Sequence, residues 1–108
     1  MARLERTLCG NFDELLSRIE RGIMGSSISA SIEDKCDFID GDARCSVRVF
    51  ERFSYTGGNR LSMNVTLFQN GSGPIHLIAV TSGGSQALFF KFNTFGEEAF
   101  LEKLKALL

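Results

Sequence analysis

The chain has no tryptophan, one proline, one histidine and three cysteines. Cys9, Cys36 and Cys45 are odd in number, widely spaced and free of any C-x-x-C pair, which agrees with a reducing compartment. With a single histidine, a Cys/His metal site would need an improbable convergence, so the spacing favours inert thiols packed as small core hydrophobes. Whether any thiol is reactive depends on tertiary surroundings. An excess of positive charge is also missing. Lys and Arg total 12 against 13 Asp and Glu, a formal net charge of -1, and no general field exists to hold nucleic acid. No apolar run approaches the roughly 20 residues that span a bilayer. The start, MARLERTLCG, lacks the apolar h-region of a secretion signal. These absences lead to the expectation of a cytoplasmic protein that uses no cofactor and has neither nucleic acid nor membrane as a partner.

What the chain does have is phenylalanine: ten residues against one tyrosine, the makings of a Phe-rich core. Its 108 residues make one domain, able to bury roughly two-thirds of the surface the unfolded chain exposes. No linker, repeat or low-complexity segment divides it.

Arg3 to Cys9 reads as a short strand anchored by Leu4 and Leu8. Asn11 opens a helix in a capping-box arrangement with Glu14, and Phe12, Leu15, Leu16, Ile19 and Ile23 form its apolar stripe. Gly22 and Gly25 offer left-handed positions to end it. From Ile28 the period becomes two, running toward Phe38 and a turn at Asp40–Asp42. Ala43, Cys45, Val47 and Val49 then alternate with Arg44, Ser46 and Arg48, and Leu61, Met63, Val65 and Leu67 with Ser62, Asn64 and Thr66. A three-residue loop at Gly57-Gly58-Asn59 would pair Tyr55 with Leu61, Phe53 with Met63 and Val49 with Leu67, keeping the apolar faces together. Ile75 to Thr81 is apolar on both faces, as for a strand covered on both sides. Gln86 to Phe92 reads as a last strand, and Thr94 with Glu97 as the cap of a terminal helix buried through Phe100, Leu101, Leu104 and Leu108.

The fold class that follows is α+β: an antiparallel sheet of five to six strands, with an N-terminal and a C-terminal helix packed on one face. The order, strand, helix, four or five strands and helix, resembles the helix-grip arrangement, in which a curved sheet wraps a C-terminal helix and often encloses a ligand cavity. The chain departs from it in having one N-terminal helix and a short final one. In its residues the chain is closer to something else. The strings SSISASIED, VRVFERFS, GGNRLSMNVTL and TSGGSQALFFKFNTFGEEAF resemble a small bacterial family known only as a domain of unknown function. That resemblance implies a cytoplasmic α+β protein and brings no catalytic residues.

Few residues stand out as carriers of chemistry. Two Gly-Gly loops, Tyr55–Arg60 and Thr81–Gln86, could form anion-holding nests, with Arg60 adding charge and Ser82, Gly83, Gly84, Ser85 and Gln86 adding donors. They also read as ordinary turns requiring positive φ, and neither matches a phosphate-binding fingerprint. Glu51 falls on the apolar face of its strand, either as an inward carboxylate with a raised pKa or as a residue turned outward by a bulge. The other face carries Arg44, Arg48 and Arg52, a row that reads as a solvated sheet surface or as a binding face for an acidic partner, and with them Phe50, Phe68 and one face of Ile75 to Thr81, a patch that a second subunit would bury. His76 has no Ser or Asp partner at a legible spacing and reads as structural.

Two functional classes remain. One is a non-catalytic module binding a small-molecule ligand through Glu51, Arg60 or the Ser82–Gln86 loop. The other is a homodimer or larger homo-oligomer that works through the outer sheet face at Arg48, Phe50 and Phe68. Catalysis is the weakest reading, because no nucleophile–base or metal constellation is legible.

Overall fold

A computed structural model describes residues 1–54, 59–83 and 90–108. Its elements are β1 (Ala2–Leu8), α1 (Phe12–Met24), β2 (Ser31–Asp40), β3 (Ala43–Ser54), β4 (Asn59–Asn70), β5 (Ile75–Gly83) and α2 (Phe90–Lys105). The strands form one five-stranded sheet in the order β1-β5-β4-β3-β2, and every neighbouring pair is antiparallel. Both helices lie on one face, so the protein is an α+β fold with an open antiparallel sheet. No described helix is long and apolar enough to cross a membrane.

Local chemistry explains the clear elements. Asn11 caps α1 by accepting a hydrogen bond from the Glu14 amide at 2.9 Å, which satisfies one of the orphan donors of the first turn. Phe12, Leu15, Ile19 and Ile23 are buried. They meet Leu61, Met63, Val65 and Leu67 of β4, Ile75, Leu77 and Ala79 of β5, and Phe100, Leu101 and Leu104 of α2 in one core. Each such side chain contributes about 1.5–3 kcal/mol on burial.

The structure departs from the sequence reading in several places, each with a physical cause. Phe90 to Phe92 is helix rather than strand, and Gln86 to Phe89 lies outside the described residues. A strand following β5 by a short turn would have had no place to pair, since β5 already lies between β1 and β4. Thr94 is therefore inside α2 and does not cap it. Ile28 precedes β2 and is fully exposed. Gly25 is the C-cap of α1 with φ −81, not a left-handed residue. Gly22 lies within α1 for a packing reason: a Cβ there would stand 2.3 Å from Leu107 Cδ2. Among the described residues β5 is covered on one face only, with Ile78 45% exposed.

The pairing of β3 with β4 differs most. Arg52 lies opposite Leu61, Phe50 opposite Met63, Arg48 opposite Val65 and Ser46 opposite Leu67. Ser54 pairs with Asn59, so the expected three-residue loop does not form, and Tyr55 to Gly58 fall outside the described residues. Because side chains alternate, this three-residue, odd-numbered difference turns the arginine face of β3 toward the helices and its valine face outward.

Candidate functional site

The helix side of β3 is polar yet buried, and the surrounding elements neutralise it. Arg48 donates through Nε to Glu20 of α1 at 2.6 Å and through Nη1 and Nη2 to Asp37 of β2 at 3.0 and 3.2 Å. Lys35 Nζ adds to the same cluster at 3.5 Å from Glu20. Burial opposes the Arg48 charge, but hydrogen bonds to Asp37 and Glu20 outweigh it and its pKa lies above the ordinary arginine value. A hydrogen bond from Ser46, then one from Arg48, holds the Asp37 carboxyl below the usual range. Arg44 pairs with Asp13 at 2.9 Å and lies 4.0 Å over the Phe12 ring. Arg52 lies 4.6 Å over the Phe100 ring, and burial lowers its pKa. These arginines lay their aliphatic stems along the core and clamp α1 and α2 onto the sheet.

On the other face no described element covers the strands. The register places Phe38, Cys45, Phe68, His76 and Thr7 side by side across it. Two residues along the strands comes Cys36, Val47, Thr66, Ile78 and Glu5, and then Asp34, Val49, Asn64, Val80 and Arg3. A polar row of Ser31, Glu51, Ser62 and Ser82 closes the sequence. Phe38 is 59% exposed, Phe68 40% and Ile78 45%. The Phe68 and His76 rings stack with centroids 6.4 Å apart, and His76 Nδ1 is 3.5 Å from Thr7 Oγ1. A band of exposed aromatic and branched residues bordered by hydroxyls and charges thus spans the sheet.

Glu51 belongs to this outer face. No bulge occurs at Phe50–Glu51; the nearby register shift is in β2, between Ile32 and Asp34. Glu51 follows its strand's alternation, but the apolar face it shares is the uncovered one. Arg60 Nε donates to Glu51 Oε1 at 3.1 Å, and Arg60 Nη2 to Ser31 Oγ at 3.2 Å.

The candidate ligand residues Glu51, Arg60 and Ser82 therefore gather on one face at one end of the three interior strands. Gly83 is the last residue of β5, where a Cβ would stand 2.6 Å from Leu61 Cδ2, so its bareness serves close packing. Thr81 is buried and donates to the Glu97 carbonyl at 3.2 Å, tying β5 to α2. Gly84, Ser85 and Gln86 lie outside the described residues. The interface trio is split: Phe68 is on the outer face, whereas Phe50 is fully buried in the core and Arg48 is buried beside α1. The thiols are not core residues either. Cys9 and Cys36 are exposed and Cys45 is half-buried, its pKa pushed up by burial and then by the neighbouring Cys36 and Asp37.

Sequence reasoning placed one face of Ile75 to Thr81, where Ile78 is exposed, on the outer side, but missed Phe38 and Cys36 as surface residues and Glu20 and Asp37 as partners of Arg48. The acidic residues at helix and strand positions facing an arginine row were the available signal. Among the described residues no group of three or more His, Cys, Asp or Glu gathers as a metal site. One hollow of about 160 Å3 lies between Cys9, Asn11, Arg18 and Leu108. The chain belongs to a family of unknown function, DUF6054, whose model matches residues 1–108. No curated protein and no solved structure matches it.

Proposed function

We propose that this member of family DUF6054 is a non-catalytic interaction module that self-associates through the uncovered face of its sheet. The observation that carries this is the row Phe38, Cys45, Phe68 and His76 with Val47 and Ile78 beside it, which no described element covers, while the opposite face is covered by two helices. An antiparallel sheet with one wet face ordinarily alternates apolar-in and polar-out, and a large exposed apolar patch marks an interaction surface. Five strands spaced about 4.8 Å, over seven residues rising about 3.3 Å each, give a footprint of roughly 550 Å2 per copy, or about 1,100 Å2 in all, just above what a specific interface needs. Exposed thiols at Cys9 and Cys36 suit a reducing setting, and the cytoplasm is the proposed one.

Light scattering across the micromolar range tests the reading. A dimer is expected, and Ile78→Glu should make it a monomer without lowering thermal stability. A wild-type monomer at high micromolar concentration overturns it.

A second reading, a small polar ligand held at that end of the interior strands, is favoured by the gathering of Glu51, Arg60, Ser62 and Ser82. Native mass spectrometry of the intact protein tests it. A co-purifying small molecule that Glu51→Gln releases supports it, and a bare protein mass counts against it.

A further inference from the structure

We infer that the second copy docks face to face about a two-fold axis running along β4, so that each copy's β3 lies on the other's β5 and each β2 on the other's β1. The inference rests on the self-association proposed above and specifies its geometry. A symmetric pair must use the same patch on both copies, which leaves only a few axes for two stacked sheets. Aligned sheets cross at about 30°, so the axis lies within about 15° of β4.

The outer face supplies the argument. With the axis along β4, rows stay matched with themselves. Val47 meets Ile78 and Val49 meets Val80 across the interface, while Thr66 and Phe68 lie near the axis and face their own counterparts. The polar rows also coincide, and Glu51 comes opposite Ser82, whose hydroxyl donates to a carboxylate. At the rim, Arg3 of β1 and Asp34 of β2 occupy the same row on opposite edges of the sheet. The two-fold brings Arg3 of each copy over Asp34 of the other, giving two opposite-charge pairs. Arg60 lies at the polar end near the axis and carries its own counter-charge in Glu51, 3.1 Å away.

The competing two-fold, across the strands, reverses the rows. It too pairs valines with isoleucines, and it places Arg3 over Glu5. But it lays Ser62 on Phe68, Ser31 on Phe38 and the Glu51 carboxylate on Cys45, burying polar groups against side chains that give them no partner. The axis along β4 also lays Cys45 on His76 and Asn64 on its own counterpart, but it sets Val47 on Ile78 and Val49 on Val80 at the centre and keeps Arg3, Glu5 and Asp34 at the rim, the ordinary anatomy of an interface.

Charge reversal in trans tests this on the full chain. Arg3→Asp alone and Asp34→Arg alone each place two like-charge pairs in the dimer and should raise its dissociation constant about tenfold. An equimolar mixture of the two variants can form a heterodimer with both pairs opposite in sign, and should dimerise within about threefold of wild type. Analytical ultracentrifugation reads the outcome. Single variants that dimerise like wild type, or a mixture no tighter than either variant alone, overturn the axis while leaving self-association standing. Rescue of Arg3→Asp by Glu5→Arg instead selects the crossed axis and also overturns it. A monomeric wild type removes the underlying reading itself.

Discussion

The two faces of β3 reverse what their residues lead one to expect. The helix side carries Arg44, Ser46, Arg48 and Arg52 around Phe50, and Ser46, Arg48 and Phe50 are buried. The outer side carries Cys45, Val47, Val49 and Phe53, half-buried or exposed. What separates them is the availability of counter-charges rather than hydropathy. Glu20 and Asp13 on α1 and Asp37 on β2 lie within reach of the arginines, so that face can be covered by helices. The outer face has no such helix among the described residues, and Phe38, Phe68 and Ile78 are exposed there. Alternation tells which residues share a face, and only the partners on other elements tell which face is inside.

The largest expected effect sets Phe50 against Phe68. Phe50→Ala should cost about 3–5 kcal/mol of unfolding free energy in urea, because it opens a cavity in the core. Phe68→Ala, on the uncovered face, should cost under about 1 kcal/mol and act on association instead. Equal losses would erase the distinction between the faces.

Next comes Arg48. Arg48→Ala leaves Asp37 without its guanidinium and Glu20 with only the longer 3.5 Å contact to Lys35, and a loss of about 1–3 kcal/mol is expected. That is less than for a fully buried pair, since the Asp37 side chain is 54% exposed. Val47→Thr, the next residue but on the outer face, should change thermal stability little by differential scanning calorimetry. A Val47 effect as large as that of Arg48 would mean the outer side is covered within one chain.

The smallest effect is one of pH. Asp37 has its pKa depressed in the folded state, so its contribution is present above the unfolded value of about 3.9 and is lost as pH falls through the lower folded value. The stability difference between wild type and Asp37→Asn should therefore shrink as the pH drops below about 4. A difference that stays constant from pH 6 to pH 3 would show that Ser46 and Arg48 do not favour the charged form.

Much of the fold was legible because local signals decided it. Asn11 and Glu14 marked the start of α1, the 3.6-residue stripe chose Phe12, Leu15, Ile19 and Ile23, and Leu61 to Leu67 alternated cleanly. The end of the sheet was not legible. Ala87 to Phe92 is apolar enough for strand or helix, and the choice depended on β1 having already taken the free side of β5. The candidate site was half legible. Glu51, Arg60, Ser82 and Phe68 are on the outer face, but Phe50 and Arg48 are not, because a three-residue change of register against β4, being odd, reverses every side chain of β3.

The register shift in β2 has a consequence for growth. β2 is an edge strand, and an edge offers its amides and carbonyls to any passing chain. The irregularity between Ile32 and Asp34 breaks that template, and Asp34, Lys35 and Asp37 stud the strand with charge. A strand adding there would have to follow a bent, charged ladder. Pairing by edges continues without limit, whereas pairing by faces is finished after one encounter. At the β2 edge, then, the chain discourages open-ended strand addition, the route by which sheets grow into fibres.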